Sequence, residues 1–243
     1  MSRAVDSKRT YNSPRRREQA AATRREILEA AQRLFERHGY AATTMAAIAA
    51  EAGVALKTVY VAFETKSGVL RALWNVLLRG DEGETPIGER AWYREVFDEP
   101  DPERRLRLNA RNSSEGKARV GAVAEVIRTA APTDPEIDAL WDRIQTDYRA
   151  NQRAIVEGLD EHDALQPDLD IERAADILWT VNHPTVWHLL VRERGWTAEQ
   201  YEEWAASVAA SQLLRPRSPS PRLCEHMFVH GAATILLADL DAV

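Results

Sequence analysis

Residues Thr43–Lys66 read TTMAAIAAEAGVALKTVYVAFETK, two short helical patterns separated by a single glycine. In the first pattern Met45 and Ile48 fall on one face, because residues three apart on a helix are neighbours. In the second, Val59 and Phe63 lie four residues apart and can pack inward together. An isolated helix this short is marginal in water. The sequence therefore predicts two helices that are held by a third and leave one face of the second outward, the helix-turn-helix arrangement.

The residues before this pair predict the supporting helix. Ser13 can cap a helix, Pro14 is tolerated at its first position, and Gly39 suits the left-handed residue that ends one. Between them apolar side chains recur at helical spacing, and these are Ile27, Leu28, Ala31, Leu34 and Phe35. The run Arg15–Arg17 opposes the helix dipole, which an external anion explains better than helix stability does. A frayed, solvated start is the alternative interpretation.

The remainder of the chain reads as further helices. The predicted elements are Thr65–Arg79, Glu89–Phe97, a helix from Asp101 to about Ala131 with a break or kink at Ser113–Gly116, a helix from Asp134 to about Leu159, Glu172–Arg194, and a last helix opened by the capping box of Thr197 and Gln200. No alternating run is long enough to argue a sheet. The predicted fold class is therefore all-α, a three-helix helix-turn-helix head followed by a larger helical body.

Composition and loop signals divide the chain into four parts. We expect residues 1–18 to form a basic N-terminal arm and helix start that is partly disordered, and residues 19–66 to form the helix-turn-helix domain, called the head below. Residues 67–213 are expected to form one helical domain, called the body, and residues 214–243 a Pro-rich linker and C-terminal tail of uncertain order.

Composition also limits the class of protein. The chain has 243 residues, of which 44% are hydrophobic and 29% charged, ordinary values for a globular protein. Its single cysteine, Cys224, excludes an internal disulfide framework and fits a reducing compartment. The polar, basic N-terminus lacks the apolar core of a signal peptide, and no apolar run approaches a membrane span. We therefore expect a soluble, cytoplasmic protein with no membrane partner.

The net charge of −6 hides an asymmetry. Residues 1–80 carry 14 Lys and Arg against 7 Asp and Glu, whereas residues 81–243 carry 18 against 31. The front is thus basic (+7) and the rear acidic (−13). This distribution suggests that only the front meets a polyanion, although charge alone fits a merely solvated basic arm equally well.

Enzyme and metal motifs give weak signals. The sequence has no Gly-rich phosphate loop, no HExxH and no nucleophile elbow. Ser114–Lys117 fits an SxxK pattern without its companion motifs, so chance explains it better. Cys224, His226 and His230 are metal-ligand types, but as residues of the tail they are more simply interpreted as surface side chains. We predict no catalytic residue, no metal and no cofactor.

A longer motif runs through the head and the start of the next helix. It comprises Gly39-Tyr40, Thr43-Thr44-Met45, Ile48-Ala49, Ala52-Gly53-Val54, Thr58-Val59-Tyr60, Phe63, Lys66 and Leu70. This pattern resembles the N-terminal signature of the TetR family of bacterial transcriptional regulators. The resemblance implies a homodimeric repressor that places its third helix in the major groove of a (pseudo)palindromic operator and is released by a small organic effector bound in the body. Ala55 departs from the usual capping residue before that helix, since it has no side-chain acceptor.

The resemblance also implies which residues meet double-stranded DNA. They are Thr44, Leu56, Lys57, Thr58, Tyr60, Lys66, Arg15, Arg16 and Arg17. Hydroxyl and ammonium groups suit phosphate contacts, which set register without reading sequence. Lys57 and Thr58 would face base edges or the adjacent backbone, and Leu56 a thymine methyl. Simpler readings remain for Tyr60, which can pack on the first helix, and for Lys57, which can be a solvated charge.

In the body, the resemblance implies an effector pocket and a dimer interface. The helices at 172–194 and 197–213 are apolar on several faces, as expected for helices that pair with a second copy. Pro184 predicts a kink that frees the carbonyl of Thr180, although it can equally serve packing alone. Predicted pocket residues are Arg107, Asn109, Trp141, Tyr148, Trp179, Asn182 and His183. The alternative function is a helical dimeric binding protein whose head reads no specific DNA.

Overall fold

The computed structural model describes residues 14–80 and 87–216. Its α-helices, in chain order, are α1 Pro14–Ala42, α2 Met45–Glu51, α3 Leu56–Phe63, α4 Lys66–Arg79, α5 Ala91–Asp98, α6 Pro102–Ala130, α7 Pro135–Asp160, α8 Ile171–Val181, α9 Pro184–Trp187 and α10 Ala198–Leu213. Short 3-10 turns lie at Ile87–Glu89 and Ala131–Thr133, and His188–Glu193 is π-helical. These residues contain no β-strand, so the all-α prediction is confirmed.

The head forms as predicted because its signals are local. The apolar residues expected to face inward are buried, and they are Ile27, Leu28, Ala31, Leu34, Phe35, Met45, Ile48, Val59 and Phe63. Gly39 takes a φ of 74° inside the span of α1 and ends its regular part. Thr44 caps α2 by accepting from the Ala47 amide at 3.1 Å, whereas Ala55 gives α3 no side-chain cap. Between α2 and α3 the chain turns by 113°, with Gly53 at φ 67°.

The head and the body share one core. The apolar cluster that fills the head continues into the C-terminal half of α6 and the start of α7, where Val123, Ile127 and Ile137 are fully buried. Helices α1 and α4 both pack on α6, which also packs against α7 and α10. The central position of α6 therefore places the far half of the body in mechanical contact with the head.

Two predicted helix starts in the body are confirmed. Asp101 caps α6 by accepting from the Arg104 amide at 2.8 Å, and Asp134 caps α7 by accepting from the Glu136 amide at 3.0 Å. In each helix a proline follows the cap, where its missing amide hydrogen costs no helical bond. The capping box of Thr197 also forms at the start of α10.

Two predictions for the body are wrong. Helix α6 runs without interruption through Ser113–Gly116, because the polar side chains there find partners on other helices. The segment 172–194 is not one helix kinked at Pro184, since α8 ends at Val181 and α9 begins at Pro184 itself. His183 caps this new helix by accepting from the Thr185 amide at 3.1 Å. Pro184 therefore removes no hydrogen bond from a helix interior.

The last described residues are hydrogen-bonded to the segment between α7 and α8. The Gln166 amide donates to the Leu213 carbonyl at 2.9 Å, and the Arg215 amide donates to the Ala164 carbonyl at 3.0 Å. The predicted tail beyond residue 216, including Cys224, His226 and His230, lies outside the described residues. Across residues 14–80 and 87–216, no single helix combines the length and apolar character that crossing a membrane requires, and the α2–α3 pair that passes the test jointly is bent by 113°.

Candidate DNA interface and effector site

The outward face of α3 is unusually apolar for an exposed surface. Leu56, Tyr60 and Val61 are 41%, 48% and 76% exposed, while Val59 and Phe63 on the opposite face are buried. Lys57 is exposed beside them. An eight-residue helix that leaves three large side chains in solvent presents a surface ready to be covered.

Two devices hold α3 in place. The Arg24 guanidinium of α1 donates to the Ala62 carbonyl at 2.7 Å and lies 4.1 Å from the centre of the Phe63 ring. On the other side Thr65 caps α4 by accepting from the Gly68 amide at 2.9 Å. A Cβ at Gly68 would lie 2.2 Å from the Phe63 carbonyl oxygen, so the end of α3 meets α4 without room for a side chain. The outward face is thus rigidly mounted.

The basic start of α1 lies beside this face. Arg15, Arg16 and Arg17 are exposed in the first turns of α1. Arg16 lines a cleft between α1 and α3 together with Thr58 and Val61. The structure therefore brings Arg16 next to the third helix, with Thr58 half-buried in the cleft between them, and leaves Arg15 and Arg17 exposed beside Arg16 on α1.

The remaining predicted contacts, Thr44 and Lys66, differ in their surroundings. Thr44 is exposed, and its hydroxyl oxygen is used to cap α2. The Lys66 amino group donates to the Tyr40 carbonyl at 2.7 Å and lies 4.0 Å from the centre of the Tyr40 ring. Burial lowers the pKa of Lys66, and the charge of Asp134 partly opposes that change. The phosphate contacts of both residues stay predictions.

Lys66 belongs to a junction between the head and the N-terminus of α7. The Tyr40 hydroxyl donates to Asp134 Oδ2 at 2.7 Å, and the Ser67 hydroxyl donates to Glu136. The hydrogen bond from Tyr40 lowers the pKa of the Asp134 carboxyl, and burial together with Asp134 raises the pKa of Tyr40. Sequence reasoning missed this junction, because nothing local pairs residues about ninety positions apart.

A buried group of polar side chains, called the polar cluster below, lies in the body. Its members are Asn109, Ser113 and Lys117 of α6, Tyr148 and Gln152 of α7, Asn182 after α8, and Tyr201 of α10. Four helices therefore contribute to one site, which is where a multi-helix body can hold a ligand.

Two hydrogen-bond chains run outward from Lys117. Its amino group donates to the Ser113 hydroxyl at 2.6 Å, Ser113 pairs with the Tyr148 hydroxyl at 3.1 Å, and Tyr148 donates to the backbone carbonyl of Asn182. The same amino group donates to the Tyr201 hydroxyl at 3.1 Å, which donates to the Val181 carbonyl at 3.1 Å. Both chains thus end on successive carbonyls at the break between α8 and α9.

The amide members complete the cluster. Gln152 Oε1 accepts from Asn109 Nδ2 at 3.1 Å and from Asn182 Nδ2 at 3.4 Å.

Burial raises the pKa of Tyr148 and of Tyr201, so both remain neutral phenols near pH 7. Burial also lowers the pKa of His183, and the charges of Lys117 and Arg128 lower it further.

Several buried polar atoms near this cluster have no hydrogen-bond partner among the described residues. They are the side-chain oxygens of Gln145 and Asn182 and the indole nitrogens of Trp179 and Trp187. Trp179 and His183 are in edge-to-face contact with ring centres 4.6 Å apart. A ring carbon of Trp187 would lie 3.2 Å from a Cβ at Gly121, one turn along α6 from Lys117. Unsatisfied buried groups are costly, so their concentration here marks a site with capacity for a partner.

The predicted pocket residues divide into two sets. Asn109, Tyr148 and Asn182 meet in the polar cluster, and the Trp179–His183 pair adjoins it. The structure does not bring Arg107 there, because it lies ~200° around α6 from Asn109 and pairs with Glu103 at 3.5 Å on the exposed side. Nor does it bring Trp141, which packs against the core shared with the head.

Sequence reasoning missed four members of the cluster, namely Ser113, Lys117, Gln152 and Tyr201. A signal existed for Lys117, because it lies on the buried stripe that includes Val120 and Ala124. A charged residue at an apolar helical position is unusual unless it is paired or functional.

Comparisons with known proteins bear on the family and the fold of this chain. Residues 27–73 match the sequence profile of "Bacterial regulatory proteins, tetR family". The chain is 30% identical over 167 residues to the probable HTH-type transcriptional regulator ArpR of Pseudomonas putida. The aligned region covers 66% of this chain and 77% of ArpR.

Two solved structures share the fold. SmeT of Stenotrophomonas maltophilia, in its complex with triclosan, is 20% identical, with a TM-score of 0.64 over 90% of this chain and 100% of that one. NalD of Pseudomonas aeruginosa, the secondary repressor of the MexAB-OprM multidrug efflux pump, is 19% identical, with a TM-score of 0.62 over 82% and 100% of the two chains. The relatives are transcriptional regulators and not enzymes. The chain belongs to the TetR family of transcriptional regulators.

Proposed function

We propose that the protein is a repressor that binds a (pseudo)palindromic operator as a homodimer and leaves it when a small organic effector enters the body. The observation that carries this proposal is the outward face of α3, where Leu56, Lys57 and Tyr60 are exposed and Arg16 of α1 lines one cleft with Thr58 and Val61. Basic and hydroxyl groups beside an apolar helix face suit a major groove, which offers phosphates at its rim and base edges within. A repressor of this kind would act in the cytoplasm on the chromosome.

Within that interface the residues take different roles. Lys57 and Thr58 would contact base edges or the adjacent backbone, and Leu56 a thymine methyl. Thr44, Tyr60 and Lys66 would bind phosphates and fix the register of the helix. The remaining contribution would be electrostatic, from Arg15, Arg16 and Arg17.

The dimer would form through the helices at 172–194 and 197–213. In support, this side of the body has incompletely buried apolar groups, including Leu189 at 46% exposure. Trp196 and Trp204 are in edge-to-face contact, with ring centres 6.2 Å apart, over a shallow depression beside α10. For such a dimer to bind an operator, its two α3 helices would have to lie about 34–36 Å apart, the spacing of successive major grooves.

Relatives support an effector site in the body. The SmeT structure contains triclosan, and a regulator from Saccharomonospora viridis with a TM-score of 0.62 to this chain was solved in complex with choline. In this chain the polar cluster and the unpartnered atoms beside it supply the groups for such a site. An effector that binds there and disfavours the DNA-binding arrangement must in turn be bound less tightly by the DNA complex.

The test is binding of the full-length protein to DNA fragments from around its own gene, measured by fluorescence anisotropy at several salt concentrations. We expect one or more fragments to bind far more tightly than random DNA, with affinity that falls as salt rises. Lys57→Ala should weaken that binding by about tenfold to hundredfold, the cost of one lost base contact. Arg143→Ala, which removes an exposed cation from α7, should leave it unchanged.

Equal affinity for every sequence would contradict this function. That result would favour a helical dimeric binding protein with a head that reads no specific DNA.

A further inference from the structure

We propose that Lys117 is the counter-charge for a small organic anion, a carboxylate on an apolar or aromatic body, and that this anion is the effector. Only the regulatory role of this anion rests on the proposed function. Its binding site depends on the polar cluster alone.

Lys117 is a buried cation without a counter-ion. It is 3% exposed, and its hydrogen-bond partners are the hydroxyls of Ser113 and Tyr201. Within residues 14–80 and 87–216, no carboxylate lies within ion-pair distance of its amino group. A protonated amine buried without a carboxylate carries a desolvation cost that neutral hydroxyls offset only in part. Desolvation accordingly lowers the pKa of Lys117 well below its ordinary value, and a bound anion would favour the charged form again.

The hydrogen-bond directions leave one donor of Lys117 free. An ammonium group has three N–H donors, and two of them are occupied by Ser113 and Tyr201. The Tyr201 hydroxyl donates its own proton to the Val181 carbonyl, and the Ser113 hydroxyl pairs with Tyr148, whose hydroxyl donates to the Asn182 carbonyl. In the protonated form, the third N–H of Lys117 has no acceptor among the described residues. The ammonium group of Lys117 can therefore donate one further hydrogen bond, to an acceptor supplied by a ligand.

The nearby unpartnered atoms favour an acidic ligand with an apolar body. The indole nitrogens of Trp179 and Trp187 are buried donors without acceptors. A carboxylate has two acceptor oxygens and can satisfy the ammonium together with such donors. The rings of Trp179, Trp187, Tyr148 and Tyr201 supply flat apolar surface for the rest of the molecule.

The structure also indicates where the anion would enter. Asn182 and Tyr201 are fully enclosed, so a ligand must displace part of the wall. The weakest part is the break at Val181–Pro184 with the four-residue helix α9, since so short a helix has little stability of its own. His183 and Pro184 are only half-buried there. Binding would therefore move the segment that joins α8 to the dimer side of the body.

The test uses benzoate, phenylacetate, 1-naphthoate and octanoate, each compared with its neutral amide. Binding to the full-length protein is measured by calorimetry and by the thermal unfolding midpoint. We expect at least one acid to raise the midpoint by a few degrees through preferential binding to the folded state, and its amide to have no effect. Lys117→Met should weaken binding of that acid by about thirtyfold or more, as for one partner of a buried charge pair. Arg107→Met removes an exposed cation from the same helix and should leave affinity unchanged.

Three results would overturn the proposal: no acid of the set binds, an acid and its amide bind equally, or Lys117→Met binds as tightly as the wild type. Circular dichroism of Lys117→Met confirms in each case that the variant is folded. Operator binding is measured on the same samples. Tight operator binding without acid binding contradicts the anion site alone, whereas acid binding through Lys117 without operator recognition contradicts the repressor function alone.

Discussion

At the scale of single residues, Lys117 has the largest conflict between burial and charge. Its amino group is buried, donates hydrogen bonds only to hydroxyls, and lies 5.1 Å from the centre of the Tyr201 ring. Moving one ion out of water into a protein interior costs on the order of several kcal/mol, which neutral hydroxyls offset only in part. The residue therefore costs stability, which is consistent with a role in binding.

We predict that Lys117→Met is at least as stable as the wild type at pH 7 and that its advantage shrinks as pH rises. The pKa of Lys117 in the folded protein is lowered from 10.5. At pH values between this lowered pKa and 10.5, the unfolded chain therefore binds more protons than the folded chain. Stability of the wild type then rises with pH through this window, and the Met variant lacks that rise.

Urea unfolding of both variants between pH 6 and about pH 9.5 measures the difference. Tyr148, Tyr201 and His183 face the same site. Because the charge of Lys117 contributes to the lowered pKa of His183, the comparison uses the part of this range above about pH 7.5, where a histidine with a pKa below its ordinary value is neutral in both proteins. A gap that is independent of pH, or a Met variant less stable than the wild type, would contradict the prediction.

Gly68 is the residue whose size matters most in the head. A Cβ there would meet the Phe63 carbonyl oxygen at 2.2 Å, and that oxygen belongs to backbone that cannot rotate away. We predict that Gly68→Ala destabilises the protein by about 1–3 kcal/mol, as overpacking does, and weakens operator binding by displacing α3. Gly116→Ala is the control: no atom lies within 4 Å of its added Cβ, and alanine should stabilise α6 by up to about 1 kcal/mol. Equal stabilities of the two variants in urea would refute the packing argument.

At the scale of elements, α7 connects the two ends of the molecule. Its first residues contact the head through Asp134 and Glu136, and its middle supplies Tyr148 and Gln152 to the polar cluster. A displacement of the polar cluster can therefore be transmitted along α7 to Tyr40 and Ser67 of the head, next to the third helix. Coupling measurements across the contact between α7 and the head test this route.

We predict a measurable coupling across that junction. A double-mutant cycle with Tyr40→Phe and Asp134→Ser should give about 0.5–1.5 kcal/mol, the net value of one hydrogen bond. Serine keeps a side-chain oxygen that can cap α7 but lacks the second oxygen that accepts from Tyr40, so the cycle isolates that bond. Additive effects of the two substitutions on the free energy of unfolding would show that the junction contributes nothing.

At the scale of the whole molecule, basic and acidic residues lie at different ends. The basic front presents α3 beside the start of α1, whereas the acidic body carries exposed apolar groups beside α10. The acidic end would be repelled by DNA and the basic end attracted, so electrostatics orient the protein on approach.

We predict that Leu189→Glu weakens the dimer, because it would place a charge in the proposed interface at a position that is exposed in the single chain. The fold of the subunit should be unaffected. Analytical ultracentrifugation should show a monomer at concentrations where the wild type is dimeric, with a parallel loss of operator affinity. A dimeric Leu189→Glu variant would place the interface elsewhere.

The features that sequence reasoning found are those with local causes. The buried stripe of α1, the positive φ of Gly39, the cap at Thr44 and the capping box at Thr197 each depend on residues within a turn or two of one another. The helix-turn-helix motif could be predicted for the same reason. The effect of Pro184 could not be predicted in this way, because a proline that kinks a helix and one that begins a helix have the same neighbours in sequence.

The polar cluster and the junction at Tyr40 required the tertiary structure. Lys117 and Tyr201 are 84 residues apart, and Tyr40 and Asp134 are 94 apart. Whether such side chains meet depends on the rotation of each helix about its axis and on how α6 packs against its neighbours, since one residue of rotation moves a side chain by ~100°. That rotation turned Arg107 to solvent and Lys117 inward, a choice made by packing across four helices rather than by any local pattern.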